Sequence, residues 1–188
     1  MGYLNVASIR LCTESEGPGK RLAIWVQGCE RRCPGCCNPE MQEIKRNTIV
    51  GTEDLINMIS RPSILNEIEG LSFIGGEPML QAEGLGEIAE WAHTKGLTVL
   101  VFTGYLVDEL KSLNNDSVHR LLKYTDILID GPYIQELHDS ERDWVGSENQ
   151  RVLFLTDAYS PGIEYMNREH QMEILVSSNE ILTNGWPF

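Results

Sequence analysis

The chain has 188 residues, 41% hydrophobic and 23% charged, enough for one domain with a substantial core and too few for two comfortable ones. Its 28 acidic against 15 basic residues give a formal charge of −13, which argues against nucleic acid as a partner, because phosphate binding needs a concentrated positive face. No apolar run approaches the length of a bilayer span, the N-terminus lacks the basic-then-apolar order of a secretory signal, and five cysteines with four crowded together do not read as a disulfide framework. The expected setting is therefore the reducing cytoplasm, away from membranes.

In chain order the pattern is strand, loop, helix, repeated, without internal repeats or low-complexity tracts. Residues 6–11 alternate weakly and predict a first strand, broken by Glu16-Gly-Pro-Gly19. Residues 21–27 (Arg-Leu-Ala-Ile-Trp-Val-Gln) predict a buried strand that runs into the cysteines. Thr52 is placed to cap a helix, with Glu53 and Asp54 in its first turn and Leu55, Ile56 and Ile59 behind them. Residues 71–74 predict a short strand stopping at Gly75-Gly76, and residues 82–94 a helix ended by Gly96. A strand over 97–103, helical pieces over 106–113 and 118–124, and strands over 127–130 and 151–155 complete the series. The tail, residues 172–176 and 180–183 around Ser177-Ser178-Asn179, reads as a β-hairpin.

Strands alternating with helices in units of roughly 25–30 residues imply an α/β fold with a mostly parallel sheet. Five or six such strands are too few for a closed eight-fold barrel, so a partial, open βα barrel fits the count. Residues 1–157 are expected to form it, with 158–188 as a C-terminal extension packed on the same domain. Ligands bind at the carboxyl ends of parallel strands. There the sequence carries Cys29–Asn38, Gly75-Gly-Glu-Pro78, Thr103-Gly-Tyr105 and Asp130-Gly-Pro-Tyr133, all expected on one rim.

Cys29, Cys33 and Cys36 are spaced C-x3-C-x2-C. Three thiolates do not close a tetrahedral metal site, but they hold three irons of a cubane cluster and leave the fourth iron open for a small molecule. The plainer reading makes Cys37 or the distant Cys12 a fourth ligand of a structural zinc. Adjacent Cys36 and Cys37 suit that poorly, because their side chains diverge in extended backbone. Cys12 reads as a buried apolar thiol. Gly75 and Gly76 permit close backbone approach to a ligand, and the Glu77 carboxylate is a natural partner for an ammonium; an ordinary strand–helix connection is the alternative. Lys20-Arg21, Arg31-Arg32 and Lys45-Arg46 either offset the acidic surface or form a small positive mouth. His93, His119, His138 and His170 show no ligand spacing and read as surface residues. Trp25 and Trp91 read as packing, and Trp144 and Trp186 as loop residues that shape a partner groove.

The cysteine spacing together with Gly-Gly-Glu-Pro resembles the radical S-adenosylmethionine (SAM) superfamily. That resemblance implies one 4Fe–4S cluster held by Cys29, Cys33 and Cys36, with SAM chelating the open iron. It places the methionyl amino group on Gly75, Gly76 and Glu77, and puts Gly35 and Cys37 near the adenine, with Asn38 and Thr103 as further cofactor-binding candidates. Glu16-Gly-Pro-Gly19, Gln27-Gly-Cys29, Cys33-Pro-Gly-Cys36 and Asn38 resemble the glycyl-radical-enzyme activases. Asp130-Gly-Pro-Tyr133 and Gly146-Ser-Glu-Asn-Gln-Arg151 resemble, among these, the activating proteins of anaerobic ribonucleoside-triphosphate reductases. The resemblance implies a glycine of a large reductase subunit as substrate, a flavodoxin or ferredoxin as electron donor, and Asp130 as a candidate for a cation site. Cys37 and Ile74 depart from the family pattern, and the tail has no clear counterpart in it. Three alternatives stay open: another peptide maturase, a small-molecule radical SAM enzyme such as the deazapurine synthase of queuosine biosynthesis, and a non-catalytic zinc or iron–sulfur module.

Overall fold

The computed structural model describes residues 2–166, 172–176 and 181–185. Its first two strands, β1 (Tyr3–Thr13) and β2 (Arg21–Val26), are followed by β3 (Thr48–Gly51), α1 (Thr52–Ile59) and α2 (Pro62–Leu65). Then come β4 (Gly70–Gly75), α3 (Ala82–Thr94), β5 (Thr98–Thr103), α4 (Val107–Ser112), α5 (Asp116–Lys123), β6 (Ile127–Asp130) and β7 (Arg151–Phe154). The tail holds β8 (Met172–Val176) and β9 (Ile181–Gly185), paired antiparallel as the expected hairpin. His170, Trp186 and the expected turn Ser177-Ser178-Asn179 lie outside the described residues. No helix among the described residues is long and apolar enough to cross a membrane.

Seven strands form one mixed sheet in the order β3-β1-β2-β4-β5-β6-β7. The central four are parallel, and β1, β3 and β7 close its edges antiparallel. The two-residue alternation of strands decides which side chains go where. Leu22, Ile24 and Val26 point to the face covered by the helices and join the main core with Leu71, Phe73, Val99, Val101 and Leu128. Ala23, Trp25 and Ile74 point to the other face with Phe102, and Leu100, Ile127 and Ile129 extend that apolar surface. One layer of helices therefore leaves the second face for the 131–166 segment and the tail.

Some expectations hold in three dimensions, such as Gly96 ending α3 and Trp91 packing on the core, and others change. Thr52 is not the cap of α1; Gly51 is, and the buried Thr52 hydroxyl donates instead to Gly2 O at 3.1 Å and Glu87 Oε2 at 2.5 Å. Gly96 follows α3 with φ of 73°, the left-handed conformation that lets the chain turn into β5. Cys12 is exposed rather than buried, because it lies near the end of β1, beyond the stretch Tyr3–Val6 that β3 covers. His93 is only partly exposed and bonds Asp126 at 3.1 Å, and Trp91 packs half-buried on the core. Arg21 is fully buried at the start of β2, where its guanidinium donates to Ser72, Thr98, Tyr159 and the carbonyls of Pro18 and Leu71. It belongs to the opposite end of the sheet from the cysteine loop.

Candidate active site

The carboxyl ends of β2, β4 and β5 deliver the cysteine loop, Gly75–Pro78 and Thr103–Gly104 to one cavity of about 1190 Å³. That volume exceeds the roughly 300–1,000 Å³ of ordinary small-molecule clefts. Cys29, Cys33, Cys36 and Cys37 all line it, beside Gly35 and Asn38. The floor is the apolar sheet face, with Trp25, Ile74 and Phe102.

Cys29 is buried, Cys33 and Cys36 are half-buried, and Cys37 is exposed. Burial pushes the Cys29 thiol up, opposed by N–H donors of Arg32 and Arg31 that point at its sulfur. A hydrogen bond from Cys37 draws Cys36 down to about 6, and the Asn38 N–H donates to its sulfur at 3.4 Å. The Cys37 thiol is pushed up by that same bond. Cys36 and Cys37 both line the cavity, just after a turn at residues 34–35. Among the described residues no group of three or more His, Cys, Asp or Glu is arranged to hold a single metal ion. Three thiols on one cavity wall, with backbone N–H groups aimed at two of the sulfurs, fit a cluster: hydrogen bonds to sulfur are one of the levers that tune iron–sulfur sites.

The Gly-Gly-Glu run is explained by its own backbone. Gly75 has φ of 101°, and a Cβ there would stand 2.5 Å from Val26 N. At Gly76 a Cβ would stand 2.2 Å from Gly28 O, because the Gly76 and Glu77 N–H groups donate to Val26 O and Gly28 O at 2.7 and 2.8 Å. The glycines thereby clamp the end of β4 onto the start of the cysteine loop. Glu77 is 1% exposed. Its Oε1 accepts from Met79 N at 3.0 Å and Thr103 Oγ1 at 2.8 Å, and its Oε2 from Gly104 N at 2.8 Å. Burial pushes its carboxyl up, and these three donors with nearby Arg31 pull it back. A carboxylate has about four acceptor positions, so three internal bonds leave capacity for one more donor.

Asp130 is fully buried and is not among the residues that line the cavity. Arg151, its cross-strand partner, bonds both carboxylate oxygens at 2.8 and 2.5 Å, and Val107 N donates to Oδ2 at 2.7 Å. Of the three basic pairs, only Arg31 reaches the cavity wall. It donates to Gly104 O at 2.8 and 2.6 Å and lies 4.3 Å from the Tyr105 ring centre, so it braces two rim loops. Its position inside the cysteine run was the available signal. Trp144, with φ of 65°, lines the cavity as a loop residue, as does Tyr133. Ser8 and Arg10 of β1 also line it; they pair with Trp25 and Ala23, which puts them on the same face, a placement that only strand register reveals.

The far wall is the tail. Asn184 Nδ2 donates to Thr13 Oγ1 and Ser15 Oγ, both at 2.7 Å, and Gly185 N donates to Glu16 Oε1 at 2.7 Å. Met172, Ile181 and Thr183 line the cavity from this side.

Residues 15–153 match the model of the 4Fe–4S single cluster domain family. The chain is 30% identical over 158 residues to the anaerobic ribonucleoside-triphosphate reductase-activating protein of Enterobacteria phage T4, covering 82% of this chain and 96% of the relative. It is 31% identical to that of Escherichia coli K12, covering 74% and 91%, and 33% identical to that of Vibrio cholerae, covering 72% and 88%. The crystal structure of QueE from Escherichia coli aligns with 68% of this chain and 70% of its own at a TM-score of 0.46 and 15% identity, a likeness too slight to argue from.

Proposed function

The chain belongs to the family of anaerobic ribonucleoside-triphosphate reductase-activating proteins, and on that premise we propose that it is a radical SAM enzyme that activates a glycyl-radical enzyme. Three cysteine thiols beside Gly75–Glu77 on one cavity wall carry the reading. Cys29, Cys33 and Cys36 would hold a 4Fe–4S cluster, which once reduced by an external donor would supply the one-electron chemistry for reductive cleavage of SAM and hydrogen abstraction from a glycine of the large reductase subunit.

The chain's own residues bind and orient. Glu77 takes the SAM ammonium on its remaining acceptor position, with Gly75 and Gly76 fixing its place. Thr103 is a positioning residue, because its hydroxyl holds Glu77 Oε1. Gly35, Cys37 and Asn38 flank the adenine. Asp130 organises the rim through Val107 N and Arg151, and its role as a cation site would require the guanidinium to yield. The sheet, with separate edges at β3 and β7, corresponds in our reading to a partial barrel, and the segment from residue 158 to the same domain. A flavodoxin or ferredoxin is the proposed electron donor.

Anaerobic purification is the direct test. The expected protein is brown, holds about four irons per chain, and forms 5′-deoxyadenosine from SAM once reduced. Cys29→Ala should remove iron and product together. Colourless protein with stoichiometric zinc would sink the assignment. So would the absence of any organic radical signal in electron paramagnetic resonance after mixing with the reductase and SAM.

A further inference from the structure

The thiol of Cys37 has no task in the cluster reading. It is exposed on the cavity wall, next in sequence to Cys36, and its side chain departs from the family pattern, so nothing in the shared motif accounts for it. Asn38 reaches both sulfurs: its backbone N–H donates to Cys36 Sγ and its Nδ2 to Cys37 Sγ, each at 3.4 Å. With the Asn38 amide taking the acceptor side of its sulfur, the Cys37 thiol gives its hydrogen to Cys36. Gln42 donates to the same sulfur. The Asn38 N–H survives any substitution, whereas the Cys37 S–H can be taken away. A thiol is a weak donor, but a sulfur carrying negative charge makes a stronger acceptor than a neutral one.

We infer that Cys37 is a positioning residue of the proposed cluster, acting through Cys36: its S–H bond to that ligand sulfur makes the cluster easier to reduce. The inference rests on the cluster reading of the cysteine run and gives the extra thiol a part in it. Reduction adds one negative charge, part of which falls on the ligand sulfurs. A donor aimed at one of them is therefore worth more after the electron arrives than before, and the potential rises. An external donor then needs less driving force to deliver its electron. The competing role for Cys37 is direct ligation of the fourth iron. Sulfurs that bind separate irons of one cube are held apart by the cube, whereas Cys37 and Cys36 share a hydrogen bond. Ligation by Cys37 would also close the iron that the proposed function leaves for SAM.

The test reads a potential, in the reconstituted chain without SAM and without turnover. A potentiometric titration is followed by electron paramagnetic resonance of the reduced cluster. At the native midpoint, the reduced-to-oxidised ratio is expected to fall at least about threefold in Cys37→Ala, a midpoint lower by roughly 28 mV for one electron. Cys37→Ser keeps a hydroxyl donor and should return most of that shift. Cys12→Ala, which removes an exposed thiol from β1, should leave the midpoint alone. Cys37 is exposed, and circular dichroism with iron per chain verifies that each variant is folded and loaded. Should Cys37→Ala take up less iron, the matched pair Cys37→Thr and Cys37→Val makes the same comparison at equal volume. An unchanged midpoint in a loaded Cys37→Ala protein would overturn the inference, as would equal shifts in the Ser and Ala variants, which mark shape rather than a donor. A midpoint that rises would overturn it in favour of ligation, because losing an anionic thiolate from the fourth iron eases reduction. A native chain that takes up no iron would instead remove the cluster reading itself, an outcome distinct from a brown protein whose midpoint stays fixed.

Discussion

At the scale of the residue, Glu77 carries the heaviest assignment. Its three donors come from three places: the turn after β4, the end of β5 and the loop beyond it. Glu77→Gln keeps the shape but turns one acceptor into a donor, so at least one buried N–H or O–H loses its partner. An unsatisfied buried donor costs roughly 1–3 kcal/mol. The expected result is a melting temperature lower by roughly 3–10 °C, together with at least about tenfold weaker SAM binding by equilibrium dialysis. Wild-type affinity in a stable Glu77→Gln protein would mean the ammonium sits elsewhere.

Glu16, at the other end of the cavity, makes a pH prediction. Burial raises its carboxyl to about 7 from an ordinary 4.5; Gly185 N–H and Arg10 oppose the rise and Glu173 adds to it. Between those two values the folded chain binds more protons at Glu16 than the unfolded chain does. Stability contributed by this group therefore falls as pH rises through that window, and the penalty is complete above about 7. Gln in its place still accepts from Gly185 N without ionising. Urea unfolding at pH 5 and pH 8 should show a loss in the native chain larger than in Glu16→Gln, by on the order of 3 kcal/mol. Equal losses would place the protonation elsewhere.

At the scale of the element, Gly76 shows how a correct motif can have an unexpected cause. The pair Gly75-Gly76 suggests room for a ligand, whereas the room is taken by Val26 and Gly28 of the neighbouring chain segment. Gly76→Ala presses a methyl group 2.2 Å from Gly28 O, and backbone cannot swing aside as a side chain can. The cysteine loop starts at that residue. Iron bound after anaerobic reconstitution should drop below about half that of the native chain while circular dichroism stays native, because packing adjusts poorly to backbone overlap. The parallel strands and their rim loops were legible because Val, Ile and Leu runs ending in glycine carry a local signal. Thr48–Gly51 was not: its four residues become a strand only through pairing with Tyr3–Val6, some 45 positions away. Pro62–Leu65 is a single turn with no periodicity to read. Arg21 reads as a surface cation, yet six acceptors drawn from β4, β5, Tyr159 and Pro18 surround it, and none is visible from its neighbours in sequence.

At the scale of the whole molecule, one-sided helix packing sets the function. With helices on one face only, the other face of the sheet is free to become a cavity floor, and whatever closes that face determines who enters. Here the closure runs through a small polar clasp. Asn184 joins Thr13 and Ser15, which are themselves 3.0 Å apart, and Gly185 N adds its bond to Glu16. Asn184→Ala leaves the two hydroxyls paired with each other, so the expected global cost is small, about 1 kcal/mol. The hairpin should open far more readily than the domain unfolds, since local openings draw only on the contacts they break. Hydrogen exchange at Gly185 N is expected to quicken about tenfold while the β4 and β5 amides keep their rates. The same opening exposes the cysteine wall, so the brown colour should bleach faster in air than in the native chain. Unchanged exchange at Gly185 alongside unchanged bleaching would show that the clasp does not hold the wall, and that the hairpin stays closed through its apolar face instead.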